Sequence, residues 1–113
     1  MSQLLEQGDV IIVDFDPTMG HEPTKRRPAV VMSVGYFNNV LSSLTVVCPI
    51  TSATSKHPLH IALLHEDPVE GFICVEQLRA MDLSKRTYTK LDGKLDEATM
   101  ANVLEAIGGI FGI

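Results

Sequence analysis

The chain has 113 residues, of which 45% are apolar and 20% charged, with a formal net charge of −5. This length holds one domain with a real core, spanning 1–113, and excludes two; the composition excludes a disordered chain. The acidic balance excludes a generic nucleic-acid-coating surface but leaves room for a local basic cleft, since local potential steers a charged ligand.

In chain order, residues 1–7 carry no basic n-region and no long apolar h-region follows, so no export signal is expected and the chain is assigned to the cytoplasm. No apolar run approaches a membrane span. Gly8-Asp9 opens the β-branched run Val10-Ile11-Ile12-Val13-Asp14-Phe15. It is expected to be a strand buried on both faces at first, then on one. Asp16-Pro17-Thr18-Met19-Gly20 ends it with turn residues. Gly20-His21-Glu22-Pro23-Thr24-Lys25-Arg26-Arg27-Pro28 follows, an imidazole, a carboxylate and three consecutive cations between two apolar runs. Such a loop is either a solvated hairpin tip or a site carried on rigid strands.

Pro28 is placed at the start of a second strand, 29–34, because proline is tolerated at a strand's first position. Residues 35–39 suit a short turn or a single helical turn. Residues 44–50 predict a third strand, 51–58 a polar loop, and 59–64 a fourth strand. With Leu59, Ile61 and Leu63 facing the core, the two-residue period turns His60 outward. Residues 71–81 read as one long β segment interrupted by Glu76, Gln77 and Arg79. Residues 82–86 suit a turn, and 87–95 a weaker strand containing Asp92-Gly93. Asp96 is a helix N-cap, and Met100, Val103, Leu104 and Ile107 give the helix one apolar face. Gly108-Gly109 is expected to end or fray it. The apolar tail Ile110-Phe111-Gly112-Ile113 either packs on the sheet or meets a partner. Short strands plus a terminal helix predict a small antiparallel barrel or sandwich with the helix packed on it.

Cys48 and Cys74 lie in apolar surroundings without a CxxC pair, which predicts reduced core thiols. His57 and His60 lack the cysteine or second pair of a structural zinc motif, and neither metal nor cofactor is expected.

Three polar clusters sit at strand ends or within apolar strands: His21 and Glu22 with Lys25, Arg26 and Arg27; Thr51 and Ser52 with Lys56 and His57; and Glu76, Gln77 and Arg79. If they converge, they supply an acid or base, fixed cations and a hydroxyl. That set fits RNA cleavage by its own 2′-hydroxyl, which needs a base, an acid for the departing 5′ oxygen, and cations for charge growing on phosphorus. Arginine matches phosphate oxygens with a planar fork. The alternatives are a structural ion pair at Glu76 and Arg79, and a Thr51 that only caps its loop.

The string Gly8-Asp9-Val10, Asp14-Phe15-Asp16-Pro17-Thr18-Met19-Gly20-His21-Glu22, Arg27-Pro28-Ala29 resembles the opening of the MazF/PemK (Kid) toxin family. The resemblance continues through Tyr36-Phe37-Asn38, Cys48-Pro49-Ile50-Thr51-Ser52 and the segment from Val75 to Asp82. It implies a mainly β, α+β fold: an SH3-like or CcdB-like antiparallel β-barrel with short helices and a C-terminal helix, forming a homodimer. It also implies a metal-independent mRNA interferase that cuts single-stranded RNA to 2′,3′-cyclic phosphate and 5′-hydroxyl ends. A MazE/PemI-like antitoxin would cover the site, and operator DNA would be bound only through the toxin–antitoxin complex. By resemblance Arg27, Thr51, Glu76 and His21 are catalytic. Glu22, Lys25, Arg26, Ser52, Lys56, His57, Gln77 and Arg79 are assigned to RNA binding. Two departures stand out. Cys74 occupies the place of an arginine in the Kid branch, and Pro23-Thr24-Lys25-Arg26 replaces a glycine-containing stretch. A non-catalytic gyrase poison or antitoxin-binding adaptor on the same fold is the alternative.

Overall fold

The structure is a computed structural model that describes residues 4–15, 26–54 and 56–113. Seven strands form an antiparallel sheet: β1 (Asp9–Asp14), β2 (Arg26–Val31), β3 (Thr45–Thr51), β4 (His60–Ala62), β5 (Phe72–Cys74), β6 (Arg79–Met81) and β7 (Tyr88–Lys94). The order is β4-β5-β3-β2-β1-β7, with β6 also paired to β3. One helix, α1 (Glu97–Phe111), follows. The sheet curls without closing: among the described residues, the end strands β4 and β7 are not paired to each other.

β1 and β2 are apolar in continuous runs because the sheet is covered on both faces. Ile11, Val13, Ala29 and Val31 join one core with Leu5, Phe15 and Leu83. Val10 and Val30 join the other with Cys48, Ile50, Ile73, Val75 and Val103, the last from α1. β3 changes partner along its length, from β6 at residues 45–47 to β5 at residues 50–51. Pro49 stands at that change, where its missing N–H leaves no ladder bond unmade on that side.

The structure corrects several boundaries. Pro28 lies inside β2, opposite Ile12, rather than at its start. The long segment 71–81 is two three-residue strands separated by a 3-10 turn over Val75–Gln77. Residues 35–41 form helical turns, the later part of the wide π type. Residues 83–85 form a 3-10 turn whose preceding Asp82 accepts the Ser84 amide. α1 runs through Gly108-Gly109 and stops at Gly112, whose φ of 72° closes the end onto the Gly108 and Gly109 carbonyls. Asp96 caps the start, accepting the Ala98 amide at 2.9 Å, as expected. Val103 is buried, whereas Leu104, Ile110, Phe111 and Ile113 are exposed, so the tail does not pack on the sheet. Both cysteines are free thiols. No helix among the described residues is long and apolar enough to cross a membrane.

One carboxylate joins the β4–β5 connection to α1. Asp67 accepts the Leu64 amide (2.6 Å), the Asp96 amide (2.6 Å) and the hydroxyl of fully buried Thr99 (2.7 Å). Asp67→Ala should lower stability by about 2–3 kcal/mol, because it leaves a buried hydroxyl and two amides without their acceptor. The midpoint of urea unfolding measures this, and an unchanged midpoint would contradict it.

Candidate active site

Arg27 projects from β2, opposite Val13 of β1. Continuing the β2–β3 register beyond the Ala29–Pro49 pair brings Arg27 level with Thr51, the last residue of β3. Thr51 in turn lies beside Phe72 of β5, two residues before Cys74. Glu76 follows on the 3-10 turn, which interrupts the β backbone and turns Glu76 and Gln77 into solvent. Three consecutive features of the fold therefore deliver an arginine, a threonine and a carboxylate to one end of β3.

The buried Cys74 thiol reports their proximity. Burial chiefly raises its pKa, the nearby Glu76 carboxylate raises it further, and the Arg27 guanidinium and a hydrogen bond from the Thr51 amide pull it back in part. Burial pushes the Cys48 thiol up to about 12, helped by Cys74 and Glu76. Neither thiol is a nucleophile near neutral pH, since the thiolate is the reactive form.

Arg27 is half-buried, and its guanidinium lies 5.9 Å from the centre of the Phe15 ring. Arg79, exposed on β6, lies 5.6 Å from the same ring. The ring is itself fixed in the core, so one aromatic holds two cations in place. Thr51 Oγ1 accepts the Ala53 amide at 3.2 Å. It caps the loop as one reading expected, and its O–H remains a donor.

Glu76 pairs with His60: Oε2 and Nε2 are 2.9 Å apart. His60 stands opposite Cys74 in the β4–β5 register. Its ring stacks on His57 at a centroid distance of 4.7 Å and 21° between planes. Burial pulls the Glu76 pKa upward. The His60 hydrogen bond, the residue's own backbone amide and the charges of His60 and His57 outweigh it, leaving Glu76 below the ordinary carboxylate value. Glu76 is therefore an ionised acceptor at neutral pH. His60 was expected to point outward as surface; it does leave the core face, but Glu76 and His57 cover it, with 14% of its side chain exposed.

The remaining assignments divide. Ser52, Lys56, His57 and Gln77 are exposed around the same end of β3 and the loop that follows it. Arg26 turns the other way, its guanidinium 3.4 Å from Thr89 Oγ1 on β7. His21, Glu22 and Lys25 lie outside the described residues. Sequence reasoning missed Phe15 and His60. Phe15 carried a signal, an aromatic closing an apolar strand beside a cationic loop; His60 needed the β4–β5 pairing, which no local pattern gives.

Residues 6–111 match the family model described as PemK-like, MazF-like toxin of type II toxin-antitoxin system. The chain is 39% identical over 100 residues to the endoribonuclease toxin ChpB of Escherichia coli K12, covering 81% of this chain and 82% of that one. It is 33% identical over 85 residues to the E. coli K12 endoribonuclease toxin MazF, covering 75% of each. Its fold matches a chain of the MazE-MazF crystal structure from Deinococcus radiodurans with a TM-score of 0.88 at 28% identity, covering 99% of both chains.

Proposed function

We propose that this chain, which belongs to the PemK-like, MazF-like toxin family of type II toxin-antitoxin systems, is an endoribonuclease that cuts single-stranded RNA without a metal cofactor. The observation that carries this reading is the convergence of Arg27, Thr51 and Glu76 around the Cys74 thiol.

In this mechanism the RNA supplies its own nucleophile. Glu76, ionised and aimed by His60, takes the 2′-hydroxyl proton. The 2′ oxygen attacks the adjacent phosphorus, and the 5′ oxygen leaves, taking its proton from water. The products are a 2′,3′-cyclic phosphate and a 5′-hydroxyl. Arg27 offsets the charge that grows on the phosphoryl oxygens, where a fixed guanidinium acts most strongly in the transition state. Thr51 donates its O–H to the phosphate. Arg79, Ser52, Lys56, His57 and Gln77 contact neighbouring nucleotides, and by family resemblance His21 takes part in catalysis and Glu22 and Lys25 in RNA binding.

The protein acts as a cytoplasmic homodimer, and exposed Leu104, Ile110, Phe111 and Ile113 supply apolar surface for the second copy. A MazE-like antitoxin covers the cations of the site, as acidic segments that fold on binding can do. Operator DNA is bound only by the toxin–antitoxin complex.

Purified protein free of antitoxin should fragment a long single-stranded RNA in EDTA. Intact RNA, with a native circular dichroism spectrum and a cooperative melt, overturns the reading. Glu76→Gln should lower the single-turnover rate by about 10²–10⁴-fold, the usual worth of a positioned base. A rate within threefold of the parent would remove Glu76 from the chemistry.

A further inference from the structure

The ligand atoms of His57, His60 and Glu76 all lie within 4.8 Å of one another. We propose that these three side chains bind a divalent transition ion of the zinc type, and that the bound ion switches off RNA cleavage by occupying Glu76. The switching half rests on the role given to Glu76 above; the binding half stands on the geometry alone.

The donor chemistry selects the ion. Two imidazole nitrogens and one carboxylate suit zinc, cobalt, nickel or copper, whereas calcium and magnesium take oxygen ligands. Three protein ligands leave a fourth position for water or an RNA phosphate oxygen. Tetrahedral bonds of about 2.0–2.2 Å place neighbouring donor atoms about 3.3 Å apart. His60 Nε2 and Glu76 Oε2, at 2.9 Å, already stand close to that spacing. The ion replaces the proton they share.

His57 must close the rest of the distance and turn out of its stack on His60. It is exposed, next to Lys56 and Pro58, which are exposed as well. Its Nδ1 accepts the Leu59 amide at 3.0 Å. Either ring nitrogen of His57 can serve as the ligand; where it is Nδ1, the Leu59 amide passes to water at the edge of the exposed turn. His60 Nδ1 is buried and has no hydrogen-bond partner among the described residues. Partners at that outer nitrogen typically strengthen metal binding about 10–100-fold, so a site without one is weaker by about that factor and reversible.

The experiment titrates the purified full chain with Co²⁺, read by its tetrahedral visible absorption, and with Zn²⁺ by calorimetry. One ion per chain is expected. His57→Ala should weaken binding at least tenfold, and the His57→Ala/His60→Ala pair should abolish it. RNA cleavage by each protein is then compared with and without saturating Zn²⁺. The parent should slow at least tenfold, and the double variant's residual rate should not respond. No stoichiometric binding by the parent, or equal binding by the double variant, overturns the site. Zn²⁺ bound at one equivalent while the parent's cleavage stays unchanged or rises overturns the switch. A chain that leaves RNA intact in EDTA refutes the ribonuclease reading instead, and the Co²⁺ spectrum still decides the site.

Discussion

Arg27→Ala should reduce single-turnover RNA cleavage by about 10³-fold while the protein stays folded. Removing one preorganised group aimed at developing charge costs about 10²–10³ in rate, and a guanidinium facing a phosphorane sits at the upper end. The folded state loses far less. Arg27 is half-buried on β2, and its guanidinium lies 5.9 Å from the centre of the Phe15 ring. A partly buried cation–ring contact of this kind contributes about 1–2 kcal/mol. The strand itself is held by residues 28–30 against β1 and residues 29–31 against β3, which the substitution leaves alone. Arg27→Lys keeps the charge but loses the planar fork, so it should restore only part of the rate. Urea unfolding and single-turnover kinetics on the same preparations separate the two effects. Cleavage within threefold of the parent would remove Arg27 from the mechanism, and an unfolded variant would make it a structural residue.

The second large effect is expected at a residue with no chemistry of its own. Gly71 precedes β5 with a φ of 130°, a conformation that side chains rarely adopt. A Cβ there would collide with the Thr51 carbonyl oxygen and press on Ile50 Cγ2. The obstacle is backbone, so it cannot swing aside as a flexible side chain would. Gly71→Ala should therefore cost about 2–4 kcal/mol, a fall of about 10 °C in Tm, from backbone strain and displaced strand pairing. It should also lower cleavage by about 10–100-fold in the protein that remains folded, because Thr51 moves with its carbonyl and small misplacements are expensive in rate. A variant with parental Tm would show that the close approach of Gly71 to β3 is not needed. Parental cleavage at reduced Tm would separate Thr51's position from the mechanism.

The elements legible in the sequence are those whose burial speaks locally. Val10, Ile11 and Val13 are apolar without alternation because the sheet is covered on both faces, and the continuous run announces that. Asp96 announces its helix because an N-cap acts within three residues. The ending of α1 was misread because Gly108-Gly109 weakens a helix without stopping it. The stop is Gly112, where the chain needs a left-handed residue. The break at Val75–Gln77 was hidden by an apolar run on either side, which two short strands and one long strand share.

The site follows the same division. Arg27, Thr51 and Glu76 could be named from their motifs, but their convergence depends on β3 lying between β2 and β5. By its two-residue period alone, His60 reads as a surface residue off the core face. That face is where the 3-10 turn places Glu76, and pairing between β4 and β5 is a long-range fact. From the sequence Phe15 reads as a strand residue within the motif that carries the resemblance; in the fold it holds Arg27 and Arg79 against one ring.

The central claim is tested most directly by mapping the ends that antitoxin-free protein produces on a long RNA of mixed sequence in EDTA. Cuts are expected in single-stranded segments, each with a 2′,3′-cyclic phosphate upstream and a 5′-hydroxyl downstream. They should disappear with Arg27→Ala. Ends bearing a 3′-hydroxyl and a 5′-phosphate would contradict attack by the 2′-hydroxyl, and uncut RNA with folded protein would contradict the ribonuclease itself.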